Sequence, residues 1–341
     1  MSGVSKKMLQ AAAGAGGAVG GSYIAVPRGD GVFYLLDHTT PGTLALASTY
    51  NLLVELNGGV DFSPNGDLVA VATRGSSNEV TILNYSDPTS ITSAAVRNFS
   101  NWAYDVCFSP DGNYMAVGFS SSPYFTLLNV DSGGAMSVAA NYTLSAGRAE
   151  GTDFSPDGNY IAVTNVTSPF FTLLDHTTPG SVSLAATYTL SSAADKPKFS
   201  PDGNYIAVVG NMSSEQFHLL DHTTPGSVSR VAIYNLGFGG NGQDVDFSPD
   251  GNYIAIVHSG NPAFTLLDHT TPGSVSLAAT YTLPSGVDGS GTAFSPDGNY
   301  IAVSGTGSSF TLLDHTTPGS VSLAATFTVG SNQKRTAFSP N

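Results

Sequence analysis

Apolar and polar positions recur along this 341-residue chain in two short blocks. The first is an apolar residue, a polar tetrad and a second apolar run. It reads FSPDGNYIAV at Phe154–Val163, with near copies at Phe62–Val71, Phe108–Val117, Phe199–Val208, Phe247–Ile256 and Phe294–Val303. Pro presets φ for the first central position of a turn, Asp caps it and Gly accepts positive φ. Tyr-Ile-Ala-Val is aromatic and β-branched, and too short for a helix. Each block therefore predicts strand, tight turn, strand. The second block is FTLLDHTTPGSVSLAATYTL, nearly verbatim at Phe171–Leu190, Phe264–Leu283 and Phe310–Val329 and looser at Phe33–Leu52 and Phe217–Leu236. It predicts a strand, a turn at HTTPG and another strand, giving four strands per repeat.

A regular period of roughly 40–50 residues is the signature of a propeller or solenoid. The chain opens on the second half of the first block (Gly21–Val26) and stops on its first half (Phe338–Asn341), so seven copies result, six whole and one split. The fold class that follows is all-β: a seven-bladed β-propeller with four antiparallel strands per blade, over residues 21–341. Residues 1–20 stand outside the repeat. The FSP strand is expected to be innermost and the SVSLAATY strand outermost. Blade one would then take its outer three strands from Tyr23–Leu52 and its inner strand from Arg335–Pro340, pairing the two ends and removing free sheet edges.

The FSPDG turns resemble those of WD-repeat-like and lactonase-like β-propellers, across residues 21–341. That resemblance implies architecture. No Gly-His dipeptide precedes the inner strands, no Trp-Asp ends the third, and the single Trp is Trp102, so no WD-repeat scaffold role carries over. Lactonase catalytic residues map onto no position with confidence. The opening SKK…AAAG segment resembles the starts of tailed-phage virion proteins, which implies docking on a particle.

Composition narrows the partners. Charged residues are 11% of the chain, against about 25% in an ordinary domain, so Ser, Thr and Asn must supply the polar surface. A net charge of −14 repels phosphate backbones and anionic membranes, which argues against nucleic acid as a partner. No apolar run approaches the ~20 residues of a membrane-spanning helix, so membrane insertion is not expected. One cysteine, Cys107, precludes an internal disulfide and reads as a buried, inert thiol. In residues 1–20, Ser5–Ala13 favours a short helix whose Lys6, Lys7, Met8 and Leu9 would anchor it, followed by a Gly-rich tether. A signal peptide is the alternative reading of the same segment.

Comparing the copies with one another separates two faces. The FSPDG and HTTPG turns share one face and hardly vary. The opposite face carries connections that differ in every blade, and aromatic and charged residues gather there: Trp102, Tyr104, Phe119, Tyr124, Arg148, Glu150, Lys196, Lys198, Phe238, Lys334 and Arg335. Loops on a rigid scaffold commonly carry binding residues, and aromatic and Arg side chains anchor interfaces. These are the candidate partner-binding residues.

Catalytic and metal signatures are weak. Five Asp-His pairs, from Asp37-His38 to Asp314-His315, invite a metal reading, but neighbours in a strand point to opposite faces and the pairs are spread round the ring. A structural turn role fits better. Asp61, Asp153 and Asp246 precede inner-strand Phe residues and would edge the channel as a hydrogen-bonded polar ring. His218 and His258 read as ordinary surface or loop residues. No nucleophile elbow, phosphate loop or HExxH is present. The expectation is therefore a non-catalytic binding propeller without metal or cofactor, a phage virion appendage or decoration protein. Its partners would be other virion or assembly proteins, through residues 1–20, and a host surface protein or glycan, through the variable loops; its location would be virion or extracellular. The alternatives are a lactonase-like propeller enzyme and a secreted or periplasmic bacterial interaction module.

Overall fold

The FSPDG blocks close hairpins through their own side chains. In Ser155–Asn159 the Ser155 hydroxyl donates to Asp157 Oδ1 at 2.6 Å, and the Asn159 amide donates to the same oxygen at 3.0 Å. Gly158 sits at φ 75°, a conformation that L side chains adopt rarely. Tyr160 N then donates to Ser155 Oγ at 2.9 Å, starting the second strand.

The computed structural model describes residues 23–52, 58–75, 79–145, 147–212, 215–237, 240–283 and 287–340. Among them, 28 strands form seven four-stranded antiparallel sheets. The inner strands of blades one to seven are Ala337–Phe338, Val60–Phe62, Ala103–Phe108, Ala149–Phe154, Ala194–Phe199, Gly242–Phe247 and Gly289–Phe294. Second and third strands are covered on both faces and read as near-continuous apolar runs, whereas outer strands alternate. The core lies between blades: Phe171 and Leu173 of blade four pack with Ile206, Val208 and Leu220 of blade five.

Ring closure pairs Ile24 with Phe338 and Ala25 with Ala337. The closing strand is shorter than the expected Arg335–Pro340. Pro27 stands opposite Arg335 and has no N–H to give the ladder, so pairing lapses there. Other bonds take over: Lys334 N donates to Pro27 O at 2.9 Å, Thr336 Oγ1 to Ala25 O at 2.7 Å, and Ser339 N to Tyr23 O at 2.8 Å.

The Asp-His pairs are structural staples. Asp175 Oδ1 accepts the amide and the hydroxyl of Thr177 at 2.8 and 2.6 Å. His176 bonds through Nδ1 to Gly158 O at 2.8 Å and stands edge-on to Tyr114 of the preceding blade. The HTTPG and FSPDG turns therefore meet on one face. His218 and His258 depart from the sequence reading. Both are buried in strands: His258 Nε2 lies 3.1 Å from Thr265 Oγ1, and His218 lies 3.5 Å from Glu215.

Candidate active site at the channel mouth

Each inner strand enters the channel from the variable face, and near that end the register of all but blade two's slips by one residue. Ala149 faces Asn165 while Gly151 faces Thr164, leaving Glu150 as an extra, unpaired residue. The same slip isolates Tyr104, Asp195, Gln243 and Ser290. At the closing strand the pairs Ala25–Ala337 and Arg28–Gln333 show the same one-residue slip, with Lys334 at the repeat position of Glu150. Such bulges re-aim side chains and are common beside active sites. Here the extra residues of six blades, with Gly58 of blade two, line one polar cavity of about 230 Å³.

Arginines crowd this cavity. The Arg74 guanidinium lies 3.9 Å from the Tyr104 ring centroid and that of Arg148 lies 5.2 Å from it. Arg148 is ion-paired with Glu150, and Arg74 Nε is buried without a hydrogen-bond partner among the described residues. Arg335 donates to two main-chain carbonyls, Glu150 O at 3.2 Å and Asp195 O at 2.9 Å. Burial pushes the Asp195 carboxyl up, helped by Glu150 and opposed by Arg335, Arg148 and Arg74, to about 7. A carboxylate so tuned is suited to take and return a proton near neutral pH.

Below the mouth the next ring closes the channel with ion pairs. Lys196 Nζ lies 2.5 Å from Asp105 Oδ2, and Arg335 Nη1 lies 2.8 Å from Asp105 Oδ1. Burial alone would raise Asp105, but Arg335 and Lys196 hold it below the ordinary carboxylate range. Asp244, facing the same cations at greater remove, is raised by burial to about 6. Glycines make room for this septum: a Cβ on Gly59 would lie 1.8 Å from Asp105 Oδ1.

A second cavity of about 170 Å³ lies beneath, lined by Asp61, Cys107, Asp153, Lys198 and Asp246 among others. The three aspartates there latch neighbouring blades: Asp61, Asp153 and Asp246 accept the amides of Phe108, Phe199 and Phe294 at 2.7, 2.7 and 2.8 Å. Lys198 reaches Asp153 at 3.4 Å and Asp246 at 3.7 Å, and Asp153 above all holds it charged against burial. Cys107 is buried, and burial raises its thiol well above the ordinary range. Among the described residues no cluster of His, Cys, Asp or Glu is arranged to hold a metal ion.

Of the residues singled out in the sequence, Tyr104, Glu150, Lys334 and Arg335 line the mouth, and Arg148 stands beside it against Tyr104 and Glu150. Lys196 belongs to the septum and Lys198 to the inner cavity. Trp102 is half exposed and Tyr124, at φ 68°, packs against the core of blades three and four; neither lines the mouth. Phe119 is a core residue, because its strand Tyr114–Phe119 runs one turn of the pleat further than expected and directs it onto Phe99 at 4.7 Å. Phe238 and the anchor residues Lys6, Lys7, Met8 and Leu9 lie outside the described residues. Sequence reasoning missed Arg74, Asp105, Asp195 and Asp244. The signal for Asp195 was available: it occupies the same repeat position as Glu150 and Lys334.

No family model and no curated protein matches the chain. Solved structures do. A Bacteroides uniformis protein provisionally named a 6-phosphogluconolactonase superposes with a TM-score of 0.79 at 12% identity, covering 93% of this chain and 99% of that one. The Pseudomonas aeruginosa periplasmic gluconolactonase PpgL gives 0.73 at 15% identity, covering 93% and 99%. The β-propeller domain of Cps50 (Swd1) from Myceliophteria thermophila gives 0.65 at 14%, covering 84% and 90%. At these identities the likeness establishes the propeller fold. It also corrects the functional expectation: neighbours matching over their whole length carry lactonase names, which back the lactonase-like alternative and count against both a non-catalytic virion appendage and a non-enzyme. The phage reading rests on the first residues, which lie outside the described ones. The physical reason for the misreading is that the catalytic candidates sit on separate blades and form no local motif.

Proposed function

We propose that the protein is a lactonase that hydrolyses a polyhydroxylated lactone at the channel mouth. The observation that carries this reading is Asp195, a carboxyl raised to about 7 inside a polar cavity lined by Arg74 and Arg335, with the charge of Arg148 also acting on it. In the reaction Asp195 takes a proton from water as the water oxygen bonds to the lactone carbonyl carbon. The oxyanion that forms is stabilised by the guanidinium charge of Arg74, which lines the cavity. Collapse breaks the ring C–O bond, and Asp195 returns its proton to the departing alkoxide, leaving a hydroxy acid. Arg335, committed to Asp105 and to two carbonyls, holds the carboxylates in place. Gln243 and Ser290 supply neutral donors and acceptors for ring hydroxyls.

A periplasmic or secreted location goes with this reading, as the name of the P. aeruginosa neighbour states for that protein. The test is a pH-stat assay of the purified chain on δ-gluconolactone and on its 6-phosphate, with the spontaneous rate subtracted. Turnover of either supports the proposal; rates equal to the blank on both, from folded protein, overturn it.

A further inference from the structure

A third cavity, of about 320 Å³, opens at the rim between blades two and three, beside the one cross-strand pair at this repeat position that carries no aromatic ring. In five blades a third-strand Phe faces an outer-strand Tyr: Phe33–Tyr50, Phe125–Tyr142, Phe171–Tyr188, Phe217–Tyr234 and Phe264–Tyr281. Blade seven keeps two rings, Phe310–Phe327. Blade two has Val80 facing Arg97. Two aromatic rings are replaced by a small side chain and a guanidinium; Arg97 lines the cavity, whose volume lies within the size range of small-molecule sites, roughly 300–1,000 Å³.

The lining has a consistent chemistry. Arg97 Nη1 donates to Met136 O of blade three at 2.9 Å, which fixes the guanidinium across the blade junction. Its Nε is buried without a hydrogen-bond partner among the described residues, so the charge of the guanidinium is held partly desolvated at the cleft. The guanidinium lies 5.2 Å from the Phe99 ring centroid, and Phe99 offers an apolar wall beside it. On the other side stand the Ser122 hydroxyl and Asn141, whose amide oxygen is taken by Thr126 at 2.8 Å so that its NH₂ is left to donate. No carboxylate is among the described lining residues.

We infer that this cleft is a binding site, separate from the channel mouth, for a sugar acid. The carboxylate accepts from the Arg97 guanidinium, the sugar's C–H face lies on Phe99, and its hydroxyls meet Ser122 and Asn141. The two cavities share no lining residue, so the inference stands whether or not the mouth is a lactonase site.

The test is isothermal titration of the full chain with D-glucuronate, with D-glucose as the neutral control. Arg97→Tyr restores the residue that five other blades carry, so its fold should be kept and its melting temperature should confirm this. The expected result is saturable glucuronate binding, weakened at least about tenfold both in Arg97→Tyr and for glucose, as loss of a charge-assisted hydrogen bond predicts. Arg74→Gln, at the mouth, should leave it unchanged. Absence of saturable binding, equal affinity for glucose, or undiminished binding by Arg97→Tyr would each overturn the assignment.

Discussion

Arg335 donates from Nη2 to the main-chain carbonyl of Asp195 at 2.9 Å, across 140 residues of sequence. With its second bond to Glu150 O, this one side chain from the closing strand fixes the bulges that aim two carboxylates at the mouth. Ring closure and the candidate site are therefore one construction.

Arg335→Met should lower kcat on a lactone substrate by about 10–100-fold, since small misplacements of reacting groups are that costly. It should also shift the acid limb of the pH–rate profile upward, because Arg335 is one of the charges holding Asp195 down. Arg335→Lys should return the limb toward the wild-type position while kcat stays low, since Lys lacks the planar fork. A purely structural role would change kcat without moving the limb.

Stability should fall as pH rises from about 5 to 8. Asp61, Asp244 and Asp195 are raised in the folded state to about 6, about 6 and about 7. Between their ordinary values and these, the folded chain binds more protons than the unfolded one, so unfolding free energy declines with increasing pH. The turn aspartates Asp111, Asp157, Asp202, Asp250 and Asp297 are lowered and act the other way, but only below about pH 4. Melting temperature against pH, with a maximum near pH 4–5 by this reasoning, checks the sign.

Gly291→Ala should destabilise the ring by about 1–3 kcal/mol, the usual range for overpacking. A Cβ there would lie 2.5 Å from Arg335 Cα and 2.8 Å from Thr336 N, backbone atoms that cannot swing aside. Gly133→Ala, whose Cβ would meet only Asp131 Oδ1 at 3.4 Å, is the control and should be near neutral in denaturant melts.

His176→Ala should cost about 1–3 kcal/mol through two lost hydrogen bonds, with Gly158 O and Gly180 N, and its edge contacts with Tyr114 and Phe154. Activity should be unaffected, since the staple lies on the face opposite the mouth. A loss of turnover at full stability would contradict the structural assignment of the Asp-His pairs.

The repeat made the architecture legible, because Pro-Asp-Gly turns and short β-branched runs each dictate local geometry and recur in phase. The site was legible only in part. Glu150 and Arg335 stood out as charges in variable loops, but whether a loop residue faces the axis depends on a one-residue bulge that leaves no mark in composition. Phe119 and Tyr124 looked like loop aromatics, yet the strand extends to Phe119 and a left-handed turn at Tyr124 directs both inward. Arg74 lies one blade away from its partner Tyr104, so no local spacing could join them.

The most direct measurement is the pH dependence of kcat/KM for the lactone that the chain turns over, in the wild type and in Asp195→Asn. The account predicts a rate that rises with pH through an apparent pKa near 7, and a fall of about 10²–10⁴-fold in the variant, with that limb gone. A variant that retains the wild-type rate and profile would show that Asp195 is not the base and would contradict the assignment of the mouth.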